Sequence, residues 1–208
     1  MIPRCTSARL ITAFAIAIAL SACSGTEGGS ASAGDPTTST QQSASASSSG
    51  DGANRAPGVS NPLDVSGLEN DPCAALSDAD LSTLSLQPGT RDTSNSRPMC
   101  AYKYASDASS QIHVILDTNL SNGLSDIYAR ESGLAYFEPT TVSDYPAVYA
   151  GSTDDRANGV CELHIGVTDS VAVTLIAYLS PGTSDYPRGC EVAELTAKTM
   201  IENLKGGS

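Results

Sequence analysis

Between Ser24 and Ser60 the chain runs for 37 residues with one valine and no Leu, Ile, Met or aromatic residue. Ser, Thr, Gly, Ala and Pro dominate the stretch. A segment so poor in apolar side chains cannot bury enough surface to offset the entropy lost on ordering. It therefore limits where a core can form. What remains downstream is Asn61–Ser208, 148 residues, the size of one domain. Residues 23–60 are read as a disordered linker that averages roughly 30–35 Å end to end as a flexible coil. The Ser, Thr and Pro residues around Asp35–Thr40 would suit O-linked sugars.

Upstream of the linker, Arg4 and Arg9 precede an apolar run, Leu10–Leu20, of 11 residues. A membrane-spanning helix needs about 20 apolar residues, whereas a signal peptide needs fewer. Leu20-Ser21-Ala22-Cys23 closes the run. A small residue directly before a cysteine reads as a lipoprotein signal, residues 1–22, with Cys23 as the lipidated N-terminus. The thiol would carry a diacylglyceryl group. A second acyl chain such as palmitate would make the anchor stable, at about 0.8 kcal/mol per buried methylene. The expected location is the extracytoplasmic face of the cell membrane.

Once the signal is removed, 9 basic residues face 23 acidic ones, a formal charge of −14. Phosphate backbones repel such a chain, so nucleic-acid partners are excluded. The acidic residues are scattered, as on a solvated surface. Of the six cysteines, Cys5 leaves with the signal and Cys23 takes lipid. Cys73, Cys100, Cys161 and Cys190 remain, an even set that reads as two disulfides in an exported domain. Three pairings are possible. Cys73–Cys100 and Cys161–Cys190 are favoured because each joins sequence neighbours and closes a loop of similar length. A four-cysteine metal site would need C-x-x-C spacing, which is missing.

Periodicity predicts a helix over Cys73–Leu84, started by Pro72 and capped by Asp71. A polar loop, Gln87–Arg97, follows. Cys100–Tyr104 and Gln111–Asp117 read as a hairpin, and Ser121–Ser132 as a second helix ended by Gly133. Tyr136–Val142 and Ala147–Gly151 are two strands split by a Ser143–Pro146 turn. Val160–Val167 and Val171–Leu179 form the clearest hairpin. Cys190–Leu204, with Ala193, Ala197, Met200, Ile201 and Leu204 on one stripe, is the last helix. The expected class is α+β: an antiparallel sheet with about three packed helices in one domain braced by two disulfides.

Asp71-Pro72-Cys73, Cys100-Ala101-Tyr102, Tyr145-Pro146-Ala147-Val148, Cys161-Glu162-Leu163-His164-Ile165-Gly166-Val167 and Cys190-Glu191-Val192-Ala193 carry a family likeness. Over about Asn61–Leu204 the chain resembles actinobacterial cell-envelope lipoproteins of unknown function, including mycobacterial Lpr-type members. The resemblance implies one domain held on the outer face of the cytoplasmic membrane in a high-GC Gram-positive bacterium. It transfers no catalytic residue. The domain also looks, loosely, like the small α+β fold of exported PsbP-like domains.

Hydrolase elbow, P-loop and dinucleotide fingerprints are missing from the sequence. On a strand, Glu162 and His164 share one face. They form a weak candidate polar site for metal binding or proton transfer, or else an ion pair on an outer face. His113 reads as a residue on a polar strand face, and Asp154-Asp155 as a loop. The eight tyrosines are read as core filler in a domain without Trp, a tyrosine-lined binding surface being the alternative. The expected function is a non-enzymatic binding or interaction module. Its partner would be an envelope protein, a glycan or an apolar ligand, with no cofactor. The alternatives are a carrier of lipid or, less supported, an envelope hydrolase.

Overall fold

Seven strands make one fully antiparallel sheet in the order β1-β2-β3-β7-β6-β5-β4. The strands are β1 (Thr90–Asp92), β2 (Met99–Lys103), β3 (Gln111–Asp117), β4 (Tyr136–Val142), β5 (Tyr145–Gly151), β6 (Val160–Gly166) and β7 (Ala172–Tyr178). The computed structural model describes residues 55–92 and 97–206. The signal segment, Cys23 and residues 23–54 of the linker lie outside the described residues.

Three hairpins, β2–β3, β4–β5 and β6–β7, build the sheet, and the β3–β7 pairing joins the first to the third. Alternation along the strands decides the faces. Ile112, Val114 and Leu116 of β3 lie opposite Ala177, Leu175 and Val173 of β7. With Leu163 and Ile165 of β6 they form one fully apolar face. The helix α4 (Gly189–Gly206) covers that face through Ala193, Ala197, Met200 and Ile201, all 0% exposed. Met200 and Ile201, like each buried Val or Leu on the sheet, contribute about 1.5–3 kcal/mol by burial, and the two alanines let α4 approach the sheet closely.

Four helices are present among the described residues, α1 (Ser66–Asn70), α2 (Asp78–Thr83), α3 (Ser125–Tyr128) and α4, with three short 3-10 turns. The continuous helix expected over Cys73–Leu84 is broken. Pro72–Ala75 is a 3-10 turn, Leu76 is extended, and α2 restarts after Ser77. The cause is local: the Ser77 Oγ accepts from the Asp80 N–H while Asp80 accepts from the Ser77 N–H, a capping box that fixes a new helix start. The helix expected over Ser121–Ser132 shrinks to α3 and a 3-10 turn at Glu131–Gly133. Gly123, at φ +51°, makes the turn ahead of α3, where a Cβ would sit 2.9 Å from the Val171 nitrogen. The four-residue turn expected at Ser143–Pro146 is only Ser143-Asp144, both left-handed, so Tyr145 and Pro146 belong to β5. The short strand β1 lies inside the stretch expected to be loop.

Disulfides join Cys73 to Cys100 and Cys161 to Cys190, with Cα separations of 5.0 and 5.1 Å. The first ties the 3-10 turn to β2; the second ties β6 to the start of α4. Gly89 packs on the first bridge so closely that a Cβ there would fall 2.2 Å from the Cys100 sulfur.

Arg55–Ser60, assigned from sequence to the linker, is described and rests on the domain. The Val59 N–H donates to Asp169 Oδ1 (2.9 Å), the Leu63 N–H to the Val167 carbonyl (2.9 Å), and the Tyr145 hydroxyl to the Asn61 carbonyl (2.8 Å). The chain thus enters the domain beside the β6–β7 and β4–β5 turns. The β2–β3 turn and the start of α4 lie at the other end of the sheet, since paired strands run antiparallel.

Candidate functional site

One cleft lies at an end of the sheet and a smaller one on the face away from α4. The larger, about 470 Å³, lies between the first half of α4, the end of α2 and the β2–β3 end of the sheet. Leu84, Ile112 and Val192 give it an apolar floor, and Tyr104, Asp185 and Arg188 a polar wall. Leu195, also in the lining, is 54% exposed and is the exposed large hydrophobic side chain among the described residues. Arg188 bridges Asp185 (2.7 Å) and Glu191 (3.2 Å) along the rim. Burial, helped by the Asp185 charge, pushes the Tyr104 hydroxyl well above the ordinary tyrosine range, so it stays protonated as a donor. The volume falls in the range of small-molecule sites, 300–1,000 Å³.

The second cleft belongs to Glu162 and His164. Period two puts them on one face of β6, as expected, but that face is not the open polar surface foreseen for it. Leu124 and Ile127 of the α3 segment pack on Val148 and Ala150 of β5, forming a small second core over it. His164 is 9% exposed. Its Nδ1 lies 2.6 Å from the Thr174 Oγ1, its Nε2 3.2 Å from the Ala150 carbonyl and 3.8 Å from Glu162 Oε2. Thr174 also donates to buried Asp117, which is ion-paired with Arg97. An ion-paired carboxylate only accepts, so the single Thr174 proton goes to Asp117 and Thr174 accepts from His164 Nδ1–H. Nε2 then faces acceptors alone.

Burial pulls the imidazole's proton affinity below the ordinary histidine range, against the smaller opposite pull of Asp117 and the Ala150 carbonyl. Neutral His164 therefore carries its proton on Nδ1 and leaves the Nε2 lone pair toward the cleft. Burial pushes the Glu162 carboxyl upward, with the Arg97 charge opposing. Arg97, Asp117 and Thr174 were not legible as site residues. Asp117 and Thr174 join the cluster through the register of β3, β7 and β6, which places Thr174 opposite His164, and Arg97 joins through its ion pair with Asp117. Among the described residues, no three His, Cys, Asp or Glu side chains are placed to hold a metal ion.

The other singled-out residues hold structure. Asp154 and Glu138 both pair with Arg156 (2.7 and 2.8 Å), whose guanidinium sits 4.2 Å over the Tyr136 ring. Tyr102, Tyr145 and Tyr149 donate to the Cys73 carbonyl, the Asn61 carbonyl and Glu194. Tyr136 accepts from the Glu162 N–H. His113 packs against Tyr178 with ring centroids 5.0 Å apart and the rings tilted by 59°.

Fold and clefts together define a disulfide-braced α+β domain with one helix-covered sheet face and one partly covered polar face. The chain belongs to the family described as Protein of unknown function (DUF3558), which matches residues 18–203. No curated protein and no solved structure matches it.

Proposed function

We propose that this protein is a cell-surface lipoprotein of the actinobacterial, Lpr-like kind, anchored through Cys23, whose domain is a non-enzymatic binding module. The observation that supports this reading most is an opposition. The chain enters beside the β6–β7 turn, while the 470 Å³ cleft with exposed Leu195 lies at the other end of the sheet. A domain tethered on its N-terminal side then keeps its anchor at the end opposite the cleft, which stays open to a partner. The apolar floor and hydroxyl-bearing wall suit an envelope protein segment or glycan. A carrier of a lipid or other apolar ligand is the alternative, supported by the apolar floor alone.

Two measurements test the reading. Cys23→Ala should move the protein from the membrane to the soluble or secreted fraction, or stall an unprocessed precursor; unchanged membrane retention and size would overturn the anchor. A photo-crosslinking residue at Leu195 should capture a discrete adduct in cells that Arg188→Glu diminishes. Adducts equally abundant from a crosslinker at Lys205, at the tethered end, would overturn the cleft.

A further inference from the structure

The cleft beside Glu162 and His164 has a volume of about 190 Å³. That is room for about six waters at roughly 30 Å³ each, too little for a drug-sized ligand and enough for a small metabolite. Its walls divide by chemistry. At one side, three acceptors meet: the neutral His164 Nε2, the Ala150 carbonyl and the Glu162 carboxylate, the last two 3.2 and 3.8 Å from Nε2. The imidazole proton goes to Thr174, so none of the three donates, and the Ser152 hydroxyl is the neutral donor in the same lining. Such a set is completed by a group with several N–H bonds.

Arg130 supplies the opposite charge. Its Nε donates to the Asp126 carbonyl, which fixes the guanidinium; its charge acts on the Asp126 carboxyl, and its terminal nitrogens close no ion pair among the described residues. Its field reaches His164, where it lowers the imidazole's proton affinity. Glu162 and Arg130 thus line one pocket without pairing to each other. Arg130 stands exposed on the turn after α3 and Glu162 half-buried on β6, so the two charges border the cleft from different elements. Ile127 and Leu134 form the remaining apolar wall.

We propose that this cleft binds a small free α-amino acid. The ammonium sits among Glu162, the Ala150 carbonyl and His164 Nε2. The carboxylate takes the free end of Arg130. A short aliphatic side chain lies on Ile127 and Leu134. The chain Arg97–Asp117–Thr174–His164 serves as the positioning relay that keeps the Nε2 lone pair facing the ligand. This site is independent of the larger cleft and of the lipid anchor.

The test is isothermal titration of the purified full chain in detergent with glycine, L-alanine and L-leucine, beside L-alaninamide and N-acetyl-L-alanine. L-Alanine should bind saturably, and blocking either end should weaken binding at least tenfold. Arg130→Gln should abolish the discrimination between alanine and its amide. Glu162→Gln should abolish the discrimination between alanine and its acetylated form. Both side chains reach solvent, so both variants should fold, and an unchanged near-UV circular dichroism spectrum confirms it. No heat from any amino acid into the millimolar range would overturn the proposal. So would equal binding of the blocked compounds, or retention of both discriminations in both variants.

Discussion

Replacing Thr174 by Val removes one hydroxyl and almost no volume, yet it cuts the chain between two buried titratable groups. Thr174 is 3% exposed, donates to Asp117 and accepts from His164 Nδ1 at 2.6 Å. A hydrogen bond to a charged acceptor contributes about 1.5–3 kcal/mol, and a buried polar atom left without a partner costs about 1–3 kcal/mol. Arg97 still holds Asp117, so the loss falls in the lower half of the combined range, about 3 kcal/mol. In a domain of this size that lowers the melting temperature by roughly 6–12 °C. Thr174→Ser keeps the hydroxyl and loses one methyl, which costs about 1 kcal/mol. Urea unfolding of the full chain, followed by circular dichroism, should show a lower midpoint at unchanged slope for Thr174→Val and a small shift for Thr174→Ser. A Thr174→Val protein within about 0.5 kcal/mol of wild type would refute the network, because a working hydrogen-bond chain cannot lose its link without cost. Equal damage from both variants would refute it too, by assigning the loss to packing.

Removing either disulfide as a pair, Cys73→Ala with Cys100→Ala or Cys161→Ala with Cys190→Ala, opens loops spanning 27 and 29 residues. On the chain-entropy relation each should lower stability by about 3.6 kcal/mol, and non-reduced peptide mapping of wild type should recover only these two linkages. Burial lowers the proton affinity of His164 and, more weakly coupled to other charges, of His113. Below about pH 6.5 the unfolded chain therefore binds protons the native state refuses, and stability falls as pH drops from about 7 toward 5. Glu162, shifted upward, works in the opposite sense and recovers part of the loss nearer to the carboxylate range. Urea midpoints across this window should flatten in a His113→Gln, His164→Gln variant; an identical slope would exclude both histidines as the cause.

Period-two alternation made the β6–β7 hairpin and the shared face of Glu162 and His164 readable from residue order alone. The apolar stripe of α4 was equally plain. Strand β1 was hidden because Thr90-Arg91-Asp92 contains no apolar residue and becomes a strand only by pairing with Met99–Ala101. The broken helix at Ser77 did have a local signal, a serine followed three residues later by aspartate, that outweighs the leucine spacing around it. The buried character of His164 had none. Its cover comes from Leu124 and Ile127, far back in sequence, and its partners Thr174 and Asp117 arrive through strand register. Residue types can state which face a side chain takes; what stands over that face is a long-range property.

The seating of Arg55–Leu63 has a mechanical consequence. A pull on the chain ahead of Arg55 loads the Val59–Asp169, Tyr145–Asn61 and Leu63–Val167 bonds first, three contacts that open one after the other. None belongs to the strand-to-strand ladder, and both disulfides lie behind them along the load path. Freed, these nine residues form a lead of about 30 Å at roughly 3.4 Å per residue, the buried Leu63 side chain being the last to leave the core. The segment works as a shock absorber: tension lengthens the lead to the domain while the sheet and its clefts keep their shape.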